Sequence, residues 1–227
     1  MAQNTSSAVM QQRSEPHDSL DDFPTPPWAT RALCEHVIWP SCAGWPKKLD
    51  QQTVWEPACN RGYMVKPLRE YFGIVIASDV HDYGHGHVVR DFLFPGDIRN
   101  VDWIVTNPPF RLARQFIARS SQLARIGFAM IVRSAFLEGT GRYEGLFSKN
   151  PPSIIAQFTE RVIMTKGIVR DPAKLYWDEK AQKWKRPSTA TAYTWLVWID
   201  GQSDTRFMWI PPCRRKLERP NDYSEST

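Results

Sequence analysis

The run Val101-Asp102-Trp103-Ile104-Val105-Thr106 ends at Asn107-Pro108-Pro109-Phe110, and this junction constrains the chain more than any other. Residues rich in β-branched and aromatic side chains read as a buried central strand, and two consecutive prolines cannot extend a sheet ladder. The strand must stop at Asn107 and the chain must turn there. Two fixed φ angles stiffen that turn, so it can hold a carboxamide and an aromatic ring at a set separation. Asn107 offers one acceptor oxygen, the Pro108 carbonyl a second, and Phe110 a flat apolar face. The set fits an aromatic amine: two acceptors on its hydrogens stabilise the positive charge that grows on the nitrogen as it attacks an electrophile, and a ring stacks on its base.

Strand and helix patterns alternate on both sides of this junction. Thr53-Val54-Trp55-Glu56 runs through Pro57-Ala58-Cys59-Asn60-Arg61-Gly62 into a helix expected over 65–71. Strands are expected over 73–80 and 88–93, a helix over 111–123 and a buried strand over 128–132. Further strand material lies at 154–158, 161–164, 193–199 and 207–210. The order predicts an α/β fold with a doubly wound, mainly parallel sheet. A strand, a small-residue turn and a helix start form a nucleotide-binding crevice, and an acid at the end of the next strand sits where it can accept both ribose hydroxyl protons. Asp79 stands in that position relative to Gly62, with Val80 next to it to face an adenine. Upstream, Phe23-Pro24-Thr25-Pro26-Pro27 delivers the chain into a helix over 29–39, whose free N–H groups can meet a carboxylate or simply be capped.

The 227 residues, 42% of them hydrophobic, suffice for one sizeable core. No window is long and apolar enough to span a membrane, and the polar stretch 1–22 has no signal core, so a cytoplasmic protein with a loose leader is expected. Cys34, Cys42, Cys59 and Cys213 form no Cys-x-x-Cys pair and read as packing residues. His81, His85 and His87 are separated by glycines and read as a surface turn rather than a metal site. A formal charge of +5 favours a polyanionic partner. Between Arg161 and Arg186 stand eight basic and three acidic residues, with Tyr176, Trp177 and Trp184 interleaved. That insert, about 165–189, is either a nucleic-acid-contacting arm or a solvated loop. Arg142, in a glycine-rich stretch, and Lys166, Arg170, Lys183, Trp184, Lys185 and Arg186 are its candidate contacts. The tail 211–227 is basic and is expected to fray.

The Asn107-Pro108-Pro109-Phe110 loop resembles the catalytic Asn-Pro-Pro-Phe/Tyr loop of S-adenosylmethionine-dependent amino-methyltransferases, chiefly those that make N6-methyladenine in DNA. Glu56-Pro57-Ala58-Cys59-Asn60-Arg61-Gly62 is similar to that family's Glu-Pro-Ala-Cys-Gly-x-Gly motif, with Asn60 where the family more often has glycine. The resemblance extends over 23–210, closes on a Trp-x-Val-Trp strand like that of small phage-type adenine methyltransferases, and implies a class I methyltransferase domain with an antiparallel closing strand. It implies S-adenosylmethionine held by Thr25 and Pro26 at the methionine end, by Glu56, Pro57, Ala58, Asn60 and Gly62 along the loop, and by Asp79, Val80, Asp91 and Phe92 around the adenosine. It further implies a flipped adenine of DNA gripped by Asn107 and Pro108 and stacked by Phe110, with Phe158 on the other side. The alternatives are RNA adenine or a protein glutamine amide as acceptor, or a nucleic-acid-binding relative without catalysis.

Overall fold

The computed structural model describes residues 21–41, 48–96 and 101–224. The expected leader lies outside them except for Asp21 and Asp22, as does Cys42. Helix α1 (Pro27–Leu33) opens on a proline, whose missing N–H would be an orphan there anyway. It runs on through a π-helical turn, Cys34–Ile38, into α2 (Trp39–Ser41). Then come β1 (Thr53–Glu56), α3 (Val65–Leu68), β2 (Ile74–Asp79) and β3 (Val88–Val89). After them lie β4 (Val101–Thr106), α4 (Ala113–Leu123), β5 (Ala124–Arg133) and α5 (Thr140–Arg142). The last elements are β6 (Ile154–Phe158), β7 (Tyr176–Asp178), β8 (Lys183–Lys185), β9 (Tyr193–Ile199), β10 (Arg206–Ile210) and α6 (Arg214–Leu217).

Eight strands form one sheet in the order β10-β6-β9-β5-β4-β1-β2-β3, and β7 pairs only with β8. Every neighbouring pair in the large sheet is parallel except those of β9, which runs antiparallel to both β5 and β6. The expected doubly wound sheet with an antiparallel closing strand is therefore present. The order reverses between β1 and β4, and a crevice opens outside the carboxyl ends of the strands at such a point. Thr106 ends β4 beside that crevice.

Each face of the sheet carries its own core. Trp103, Val105, Ala129, Ile131, Trp195 and Val197 point to one side, under Trp28, Leu33 and Val37 of the first helix. Ile104, Phe128, Met130, Leu196 and Trp198 point to the other, under Phe116 and Ile117 of α4. Alternation along β4, β5 and β9 sorts them, and each large side chain so buried contributes roughly 1.5–3 kcal/mol. The strand tryptophans also satisfy their indole N–H groups: Trp103 donates to Gln52 Oε1 at 2.7 Å, Trp55 to Ser78 Oγ at 2.9 Å and Trp198 to Asn150 O at 3.1 Å. Buried Asp102 accepts from the Thr53 N–H and from Arg125 Nη2, both at 2.9 Å.

Several expectations are corrected. The strand expected over 88–93 ends at Val89, so Asp91 and Phe92 lie in the turn after it, with Leu93 N–H donating to Asp91 Oδ1 at 2.8 Å. Residues 161–164 form no strand; among the described residues nearby, a bridge between Thr165 and Ile168 forms. Strand β10 lies at the sheet edge, parallel to β6. The tail is ordered as far as it is described: Leu217 is buried, and the fully buried Arg31 guanidinium binds Asp222 Oδ2 at 2.7 Å, Glu70 Oε1 at 2.6 Å and the Leu217 carbonyl at 2.8 Å.

Candidate active site

Glu56 ends β1 and is completely buried. Its Oε1 accepts the Ala58 N–H at 3.0 Å and the Thr106 hydroxyl, which ties the loop after β1 to the strand end that carries Asn107. Its Oε2 is buried without a hydrogen-bond partner. Burial pushes the carboxyl up to about 8, against the opposing pull of those two hydrogen bonds. Glu56 thus supports the loop from beneath rather than lining the crevice.

The loop above it is shaped residue by residue. Asn60 adopts φ 51°, a left-handed conformation that asparagine tolerates better than most side chains. Its N–H donates to Asp79 Oδ2 at 2.8 Å, its Oδ1 accepts the Arg61 N–H at 2.7 Å, and its Nδ2 donates to Asp22 Oδ1 at 2.7 Å. Asp79 Oδ1 accepts the His81 N–H at 3.0 Å, so two backbone donors fix this carboxylate at the mouth of β2. Gly62, at φ 85°, lies so close to His87 that a Cβ there would stand 2.8 Å from Nε2. The turn holding the three histidines therefore packs on the loop.

A cavity opens where these pieces meet. It is lined by Thr25, Pro57, Ala58 and Asn60, by Asp79 and Val80, by Asp91 and Phe92, and by Asn107 and Pro109. Ten of the expected site residues thus converge from five separate stretches of chain. Pro26 lies instead at the start of α1, where its carbonyl accepts the Ala29 N–H at 2.9 Å. Among the described residues, two buried polar atoms of this group make no hydrogen bond, Thr25 Oγ1 and Asn107 Oδ1. Asn107 Nδ2 donates to the Phe23 carbonyl at 2.8 Å, which turns Oδ1 the other way as an open acceptor. Phe92 is held edge-on against Trp55, ring centroids 5.2 Å apart.

The residues around Phe110 depart from expectation. Its ring is not an open face: the Arg133 guanidinium lies 4.2 Å from the centroid, and the Phe23 ring stands 5.7 Å away, tilted by 30°. Phe158 is also displaced from its expected role, since it is buried in the core and meets Trp28 edge-on at 5.6 Å. Asp21 and Asp22, counted with the loose leader, belong to the site. The Phe110 N–H donates to the Asp21 carboxylate, and Asp22 pairs with Arg61 at 3.0 Å. Arg133 escaped notice although a signal was present: it ends a central strand at the same edge of the sheet as Asp79 and Asn107, where ligands gather.

The basic insert contains the β7–β8 hairpin. Trp177 and Trp184 face each other across it, centroids 5.8 Å apart, and Trp184 is 64% exposed. Arg170 stacks on Tyr176 at 3.9 Å, and Lys185 pairs with Asp178 at 2.6 Å, while Lys166, Lys183 and Arg186 are exposed. Arg142 lies apart from the hairpin, its guanidinium 5.3 Å from the Phe136 ring. Among the described residues no helix is long and apolar enough to cross a membrane.

The fold is of the class I methyltransferase type. It is similar to a protein from Listeria monocytogenes assigned to the class I S-adenosylmethionine-dependent methyltransferases, at a TM-score of 0.52 and 15% identity over 85% of this chain and 67% of that one. It is equally similar to a protein from Pyrococcus horikoshii assigned as an RNA methyltransferase, at a TM-score of 0.52 and 16% identity over 87% of this chain and 95% of that one. At these identities the likeness is one of fold. No protein-family model matches the sequence, and no curated protein matches it.

Proposed function

We propose that this chain is an S-adenosylmethionine-dependent methyltransferase that modifies the N6 amino group of adenine in DNA. The observation that carries the reading is Asn107 Oδ1, a buried acceptor without a partner, held at the rim of the crevice by the Phe23 carbonyl behind it. An acceptor left open at such a cost serves a donor that arrives with the substrate.

The residues around the cavity fit the cofactor. Asp79 keeps lone pairs for ribose hydroxyls beyond the two it uses on backbone N–H groups, Phe92 and Val80 offer apolar surface to an adenine, and Thr25 Oγ1 is a buried polar atom awaiting a partner. When bound, S-adenosylmethionine supplies a methyl group on a sulfonium centre. The chain's own work is on the acceptor amine. Asn107 Oδ1 and the Pro108 carbonyl take its two hydrogens, draw the nitrogen lone pair out of the ring's conjugation and stabilise the charge that develops on it. The exposed tryptophans and lysines of the hairpin support a nucleic-acid acceptor over a protein one.

The test is incubation of the protein with labelled S-adenosylmethionine and unmethylated DNA or RNA, digestion to nucleosides, and identification of the product by mass spectrometry. N6-methyladenine from DNA is expected, with Asn107→Ala slower by about 100- to 1,000-fold. The Pyrococcus neighbour favours RNA as the second reading, and label confined to RNA would replace the first. Absence of label from every nucleic acid would reject both.

A further inference from the structure

The residues of the Asn107–Phe110 loop alternate between two cavities. Asn107 and Pro109 line the one described above, whereas Pro108 and Phe110 line a second with Ala113, Val132, Arg133 and Phe136, closed by Arg142. Two arginines thus stand in a pocket that is otherwise apolar. Among the described residues neither has a carboxylate partner. The Arg133 guanidinium carbon lies 4.2 Å over the Phe110 ring centroid, and its Nε is buried without a hydrogen bond among the described residues. Arg142 lies over Phe136, with Nε donating to the Glu138 carbonyl at 2.6 Å and Nη2 to the Ala135 carbonyl at 3.3 Å. Gly139 makes room for it: at φ 111°, a Cβ there would stand 3.0 Å from Arg142 Nη2.

A guanidinium that spends its flat face on a ring keeps its N–H edge for an anion. Arg133 keeps its Nη groups for that use, Arg142 keeps Nη1 beyond the Nε and Nη2 it spends on carbonyls, and a base that stacks on the Phe110 ring must move Arg133 aside. We propose that this second cavity is a nucleotide subsite, in which Arg133 and Arg142 hold the phosphate of the target nucleotide while its base replaces the Arg133 guanidinium on Phe110. The inference rests on the reading of the acceptor as a nucleic acid. Arg133 fills the base's place until the substrate arrives, and its fork is then released to the phosphate.

The test compares the binding of deoxyadenylate and deoxyadenosine to the full chain by calorimetry or nuclear magnetic resonance titration, each with and without S-adenosylhomocysteine. Deoxyadenylate should bind about tenfold or more tightly than deoxyadenosine, as a charge-assisted pair allows. That ratio should approach one in Arg133→Ala and in Arg142→Ala. Arg133→Lys, which keeps the charge without the planar fork, should fall between, and it preserves the test should the alanine variants melt early. A ratio near one in the natural chain overturns the subsite, as does a ratio that survives both alanine substitutions. Inorganic phosphate binding as tightly as deoxyadenylate would overturn the assignment to a nucleotide. A tenfold ratio that depends on Arg133, in a chain that methylates no nucleic acid, would keep the subsite and reject the proposed reaction.

Discussion

Replacing Glu56 by glutamine should change how stability depends on pH. In the unfolded chain this carboxyl titrates near 4.5, and in the folded protein burial raises it to about 8. Below pH 4.5 both states hold the proton and the residue's contribution is fully present. As the pH rises, the unfolded state releases the proton while the folded state retains it, so stability falls until the folded carboxyl ionises near pH 8. At ~1.4 kcal/mol per tenfold difference in proton affinity, the loss over the whole range is on the order of 5 kcal/mol. Glutamine keeps an oxygen for Ala58 N–H and the Thr106 hydroxyl, has nearly the same shape and does not titrate. Urea unfolding followed by tryptophan fluorescence at pH 5 and pH 8 isolates the effect, because every other titrating group is common to both proteins. Glu56→Gln should gain a few kcal/mol on the natural chain between those two pH values. Unfolding midpoints that move in parallel would refute the argument and place water or a counter-charge at Oε2.

Arg31→Ala should cost about 3–5 kcal/mol in urea unfolding, because it leaves the Asp222 carboxylate buried and unpaired. Gly127→Ala should destabilise by about 1–3 kcal/mol or more, measured by thermal melting, since the new Cβ would stand 2.5 Å from the Trp198 carbonyl and 2.8 Å from the Trp103 ring. Joint replacement of Trp177 and Trp184 by alanine should leave the melting temperature nearly unchanged. It should weaken oligonucleotide binding in fluorescence anisotropy by about tenfold or more, the effect of removing a stacked base contact. An unchanged affinity would make the hairpin a solvated loop.

The fold was legible wherever a single strand carried its own signal. The β-branched run of β4, the continuous apolar run of β9 and the acid closing β2 are local patterns, and each element lies where its pattern put it. That Asn107 and Asp79 border one cavity was legible because both stand at strand ends, where the topology alone brings them together. What escaped was decided across long stretches of chain. Phe158 reads as an aromatic at a strand end, and whether it faces the crevice or the core depends on Trp28, which arrives from the first helix. Residues 161–164 have strand-forming side chains but form no strand. The tail is basic and polar in composition, yet the Leu217 carbonyl and Asp222 bind a buried guanidinium far upstream. Asp21 and Asp22 read as solvated acids because nothing nearby in sequence hints at Arg61 or the Phe110 N–H.

The hydrogen bond from Asn107 to the Phe23 carbonyl bears on transplantation. A carboxamide has a donor end and an acceptor end of almost the same shape, and a free one rotates between them. Here the choice is made by a carbonyl from the amino-terminal approach to α1, 84 residues from Asn107 along the chain. The tetrapeptide is therefore only half of the device. Grafted onto another scaffold it would carry its prolines and its ring, but its amide would point either way, and a designer would need to bring the segment around Phe23 along with it.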